Sequence, residues 1–221
     1  MTAQLDRWLE MLTDAAESDF EARNRVRDEA LQISRGLIRL ASRAIRAGHR
    51  EAWEEAQALL EEADEVAASL QEMLEPFPDI YFAGYTQDAL KEWVEAQLTL
   101  VFVQGEGAPE PLDLELPPPG EIEVPLSTYL NGLCEAASEL RRRCLDLMRR
   151  GEMAKAERLL ATMDAVYEVL MSFGYPDAIT GGLRRRVDQL RGVLERTRGD
   201  LTNSLQMERL LEAMRVGEDE G

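Results

Sequence analysis

Leucine, alanine and valine return along this chain every three or four positions, with glutamate and arginine between them, over stretches nearly free of proline and glycine. In LKEWVEAQLTLVFV, a turn of about 100° per residue gathers Leu90, Trp93, Val94, Leu98 and Val101 on one side and sets Glu92 and Glu95 on the other. In YLNGLCEAASELRRRCLDLM, the same construction groups Leu130, Leu133, Ala137, Leu140 and Cys144. It turns Glu135, Glu139 and Asp146 away from that face, flanked by Arg142 and Arg143. The spacing predicts helices over roughly 3–17, 19–47, 51–75, 86–104, 126–150, 152–173 and 178–199, with a short one near 203–214. Breakers fall at Gly48 and His49, in PFPDIYFAGY, and in GEGAPEPLDLELPPPGEIEVP from Gly105 to Pro125, which cannot be continuous helix. Neither half has enough helices to close a core alone, so the last breaker reads as a crossover loop inside one domain spanning 1–221. The tail VGEDEG, from about 216, reads as disordered. The expected fold class is all-α, a helical bundle.

Composition adds limits. A chain of 221 residues that is 45% hydrophobic can bury a sizeable core. No run of about 18 apolar residues occurs, and MTAQLDRWLE carries charges where a secretory signal would be apolar, so a cytoplasmic protein without membrane contact is expected. Cys134 and Cys144 share one predicted helix and cannot bridge; they read as small buried hydrophobes. A net charge of −18 repels nucleic acid and membranes at long range. A nucleic-acid role therefore requires that the charge be segregated, or screened in a salty cytoplasm where the Debye length falls to about 3 Å. The basic residues are almost all arginine, Lys91 and Lys155 excepted, and arginine grips carboxylates or phosphates with two donors.

No glycine-rich phosphate loop, zinc spacing or nucleophile elbow is present, and the sole histidine, His49, reads as an end cap or packed side chain. Two helices that each offer a carboxylate pair one turn apart could hold Mg²⁺ or Mn²⁺, which take oxygen ligands. The competing reading is a solvated face: among 43 acidic residues such pairs are common, as Glu51 with Glu55 and Glu62 with Glu65 show. Arg35, Arg39, Arg43 and Arg46 fall within one quadrant of their helix, with Arg50 continuing the line. They could track a phosphate backbone, or form an ion-pair seam with the glutamates of the next helix. The run containing Arg184, Arg185, Arg186, Arg191, Arg196 and Arg198 permits the same two readings. Trp8 and Trp53, among charged neighbours, read as packing or subunit contacts.

The segment YLNGLCEAASELRRRCLDLMRRGEMAKA, then FGYPDAITGGLRRRVDQLRGVLERTRGDL, resembles the C-terminal half of the translin/TRAX family, with its YL-x-G helix and Tyr-Pro-led final long helix. LQISRGLIRLASRAIRAGHRE resembles that family's first long helix, and LKEWVEA its middle one; the resemblance spans about 28 to 200. It implies a seven-helix translin-type bundle whose protomers form a hollow homo-oligomer, typically an octamer, around nucleic acid. TRAX-type subunits carry a Glu-x-x-Glu pair in the middle helix and an acidic-x-x-x-Glu pair in the YL-x-G helix, and translin lacks the first. Here these positions are Glu92 and Glu95, then Glu135 and Glu139, with Glu135 where TRAX usually has Asp. The resemblance thus implies a prokaryotic or archaeal-like, TRAX-type endoribonuclease, with those four glutamates as catalytic residues and ligands of Mg²⁺ (or Mn²⁺). Its substrate would be single-stranded or short structured RNA. Arg35, Arg39, Arg43, Arg184, Arg185 and Arg191 are the expected nucleic-acid contacts. The alternatives are a non-catalytic translin-like shell for RNA or single-stranded DNA, and a scaffold whose charges are all solvated.

Overall fold

The computed structural model describes residues 2–107 and 116–219, and these contain helices and no strand. In chain order the helices are α1 (Thr2–His49), α2 (Trp53–Leu74), α3 (Pro78–Tyr81), α4 (Gly84–Gln104), α5 (Pro119–Ile122), α6 (Leu126–Arg149), α7 (Met153–Met171), α8 (Asp177–Thr180) and α9 (Leu183–Asp219). A 3₁₀ turn, Gly105–Gly107, follows α4. The all-α expectation holds, with two expected boundaries missing. The breaks placed near 18 and 200 do not occur, because no proline lies in either stretch and Gly199 is tolerated within α9. Helix α9 also continues through 216–219, where a disordered tail is expected; residues 220 and 221 lie outside the described residues. Of the expected crossover loop the structure describes the 3₁₀ turn, α5 and the segment leading to Pro125; residues 108–115 lie outside the described residues.

Helices α4 and α6 form the middle pair, with α1 and α2 packed on the α4 side and α7 and α9 on the α6 side. The expected core faces are buried: Leu90, Trp93, Val94 and Leu98 on α4, and Ala137, Leu140 and Cys144 on α6. Helix α4 is covered almost all round, since Ala96, Leu100, Phe102 and Val103 are buried as well. Both cysteines are free and buried, and burial pushes each thiol up to about 12. Apolar side chains of α1 join the core only from Val26 onward; Trp8 stands exposed, whereas Trp53 packs against the core. No helix among the described residues is long and apolar enough to cross a membrane.

Candidate active site

Two glycines decide where three helices meet. At Gly132 of α6 an added Cβ would sit 2.7 Å from Val94 Cγ1 and 3.0 Å from the Lys91 carbonyl oxygen, so α4 and α6 approach as closely as only glycine allows. Glu135, nearly one turn further along α6, is thereby set against Glu92 and Glu95 of α4, and ligand oxygens of the three carboxylates all lie within 4.8 Å of one another. At Gly48 an added Cβ would overlap the Leu100 side chain, so the end of α1 packs tightly on α4. His49, the last residue of α1, places Nε2 2.8 Å from Oε1 of Glu139, one turn beyond Glu135. Three of the four expected glutamates thus meet from α4 and α6, while Glu139 lies outside that group of three and is held beside it by His49 at the end of α1. The solvated-face reading fails for them: because α4 is the central helix, its polar side is a seam inside the bundle, and all three clustered carboxylates are partly buried.

The seam holds two cations among its acids. Lys91, 6% exposed, donates to Glu92 Oε1 at 2.8 Å and to Glu135 Oε2. Burial opposes the charge on Lys91, and these hydrogen bonds outweigh it, raising its pKa above the ordinary lysine value. Arg186 of α9 donates through Nε to Glu135 Oε1 at 2.7 Å and through Nη1 to Asn131 Oδ1 at 3.1 Å. Burial opposes the charge on Glu135 too, but hydrogen bonds from Lys91 and Arg186 hold its pKa below the ordinary value. Glu95 receives no such hydrogen bond among the described residues. Burial, then the charges of Glu92 and Glu135, push its carboxyl up to about 8, against the pull of Lys91. Burial first, and the surplus of acids over cations second, favour the protonated form of Glu95. The cluster's donors are all hard oxygens, the ligands that Mg²⁺ and Mn²⁺ take, so the residues present fit such an ion.

The arginines divide. Arg35, Arg39 and Arg43 are exposed on α1 and form no ion pair among the described residues, so the seam with α2 glutamates does not use them; Arg50 pairs with Glu55 at 2.9 Å instead. Arg184, Arg185 and Arg191 are likewise exposed and without an ion pair among the described residues. Arg186 and Arg198 turn to Glu135 and to Asp164. Arg142, as expected, flanks the acidic stripe, 4.0 Å from Glu139, but Arg143 does not: it is 2% exposed and bonded to Glu106 and Glu51. Sequence spacing gave no sign of Lys91, Arg186 or His49 as members of the cluster. The one available hint was the position of His49 at the joint where α1 turns.

The Translin family model matches residues 25–197. An uncharacterised protein of Methanocaldococcus jannaschii is 31% identical over 193 residues, covering 86% of this chain and 81% of its own length. The structure of AfC3PO in complex with duplex RNA superposes with a TM-score of 0.75 at 32% identity, covering 89% of this chain and 97% of that one. Apo-NeC3PO, with the same TM-score, is 20% identical, covering 86% of this chain and 96% of the other, and shares the fold. With its family model spanning most of the bundle, this chain belongs to the Translin family.

Proposed function

We propose that this chain is a metal-dependent endoribonuclease of the cytoplasm, acting on single-stranded or short structured RNA held within an assembly of its own copies, an octamer. The observation that carries the reading is the convergence of Glu92, Glu95 and Glu135 in a seam that has more carboxylates than cations. The relative AfC3PO has been solved with duplex RNA, which supports RNA as the ligand class here. Glu92, Glu95 and Glu135 would hold Mg²⁺ or Mn²⁺, with Glu139 beside them. When bound, such an ion lowers the pKa of a coordinated water and offsets charge developing on a phosphate.

The chain's own residues supply the rest. Burial and the neighbouring carboxylates push Glu95 up to about 8 without an ion; a bound cation would hold it ionised, and one of the four carboxylates would take a proton from the attacking water. His49 holds Glu139 from a buried position, fixing one oxygen of that carboxylate. Glu135 stands where TRAX-type chains usually have Asp, and its longer side chain is tied by Lys91 and Arg186 among the other acids. The exposed arginines of α1 and α9 suit contacts to the phosphate backbone, which give affinity and salt dependence without reading sequence. Their grouping on helix faces answers the overall charge of −18: a locally basic surface can bind RNA on an acidic protein.

The test is cleavage of labelled single-stranded RNA by the purified protein in Mg²⁺ or in EDTA, beside Glu92→Gln. Cleavage that needs both the metal and Glu92 is expected. Binding without cleavage would leave a non-catalytic shell, and no binding at low salt would end the nucleic-acid reading.

A further inference from the structure

Beside the carboxylate seam a cleft of about 420 Å³ opens between the first turns of α4, the start of α6 and the α8–α9 corner. That volume falls within the roughly 300–1,000 Å³ of small-ligand sites. Its inner wall includes Lys91 and Arg186, the two cations that contact Glu135, so the cleft and the seam share a wall. Along α4 the lining runs from Gly84 and Asp88, both exposed, to Lys91, which is buried. By helix rise Gly84 stands about 10 Å from Lys91 and Asp88 about 4.5 Å, so the cleft passes from an open mouth, past one carboxylate, to an inner wall with two cations that also contact Glu135. At the open end Phe82 is 64% exposed and Ile179 65% exposed, two apolar side chains that pack on nothing extensive in the chain. The Phe82 ring is perpendicular to that of Tyr81, centroids 5.0 Å apart, and most of it stays open to another partner. Asp88 forms no ion pair or side-chain hydrogen bond among the described residues. The inner wall is already organised: Asn131 donates to the Ser127 and Thr180 carbonyls, both at 2.7 Å, and accepts from Arg186.

Cations at the deep end and a carboxylate with an aromatic at the mouth call for a ligand of matching polarity: an anion at one end, hydroxyl donors and a flat ring at the other. We propose that this cleft is a ribonucleotide subsite, taking the nucleotide next to the phosphate that enters the carboxylate seam. The phosphate faces Lys91 and Arg186, the ribose hydroxyls donate to Asp88, and the base stacks on Phe82. Asp88 repels a phosphate and accepts from a 2′-hydroxyl, so the cleft has both a direction and a preference for RNA over DNA. This assignment rests on the ribonuclease reading for its place in the reaction, but the cleft's selectivity is measurable without any cleavage.

The experiment is a calorimetric titration of the intact protein with adenosine 5′-monophosphate, its 2′-deoxy analogue and inorganic phosphate, in EDTA and again in Mg²⁺. Phe82 and Asp88 are exposed, so Phe82→Ala and Asp88→Ala should fold normally. Adenosine monophosphate should bind more tightly than its deoxy analogue and than phosphate. Phe82→Ala should weaken the nucleotide about tenfold and leave phosphate unchanged. Asp88→Ala should abolish the preference for ribose. Equal binding of nucleotide and phosphate in both conditions, or two variants that bind like wild type, overturns the proposal. A chain that cleaves no RNA but shows these selectivities loses the enzyme reading and keeps the subsite. One that cleaves RNA, with both variants unchanged in KM and in nucleotide binding, keeps the enzyme and loses the subsite.

Discussion

Glu135, Glu139 and Arg143 lie one turn apart along a single line of α6, yet they enter two charge clusters of opposite character. At Arg143 the charges balance. Its guanidinium grips Glu106 through Nε at 2.6 Å and through Nη2, and reaches Glu51 at 3.0 Å, while Arg150 and Lys155 complete pairs with Glu51 and Glu152. Hydrogen bonds from Arg150 and Arg143 hold Glu51 below the ordinary carboxylate pKa. At Glu135 and Glu139 the charges do not balance: with Glu92 and Glu95 they face Lys91 and Arg186, and Arg142 stands 4.0 Å off at the solvent edge. There Glu95 is pushed up to about 8 rather than down. A buried cluster that neutralises itself is costly to break from one side; one left with surplus acid has room for another positive charge.

Breaking the balanced cluster should cost most. Arg143→Met leaves buried Glu106 with only Lys155, 3.9 Å away, and should lower unfolding free energy by about 3–5 kcal/mol, read from urea denaturation. A loss under about 1 kcal/mol would mean the two clusters do not differ in this way. Gly132→Ala comes next. The new Cβ collides with Val94 and the Lys91 carbonyl, so α4 and α6 must spread, at about 1–3 kcal/mol in the same assay and with weaker Mn²⁺ binding. Unchanged Mn²⁺ affinity would detach the cluster from the close helix approach.

That glycine also marks the limit of what the sequence could tell. Periodicity located the α4 and α6 core faces, since Leu90, Trp93, Val94 and Leu140 must be buried whatever surrounds them. It could not say that the opposite side of α4 is covered too, because that depends on α1, α2 and α6 meeting there. The four glutamates were legible through family resemblance. Lys91, Arg186 and His49 were not, since each joins the cluster by tertiary contact across 44, 51 or 90 positions. Arg143 misled for the same reason: beside Arg142 in sequence, it points into the bundle.

Smaller effects sharpen the contrast. His49→Gln frees Glu139 from its buried partner and should weaken Mn²⁺ binding or activity by about 10–100-fold with the fold retained. Stability in EDTA should also drift with pH. Because the folded pKa of Glu95 lies near 8, above the ordinary value of 4.5, the folded state binds more protons than the unfolded one between those values. Its contribution is therefore full at low pH and lost as pH rises through about 8, so Tm without metal should fall by a few degrees from pH 5 to 9. A Tm that rises across that range would contradict a Glu95 carboxyl pushed up by burial and its acidic neighbours.

The most direct test is Mn²⁺ titration of the purified chain followed by electron paramagnetic resonance, comparing wild type with Glu92→Gln, Glu135→Gln and Glu51→Gln. Wild type should bind the ion in the seam, Glu92→Gln and Glu135→Gln should lose that binding, and Glu51→Gln, in the balanced cluster, should keep it. Equal Mn²⁺ binding by all four proteins would contradict the claim that the surplus carboxylates of α4 and α6 form a metal site.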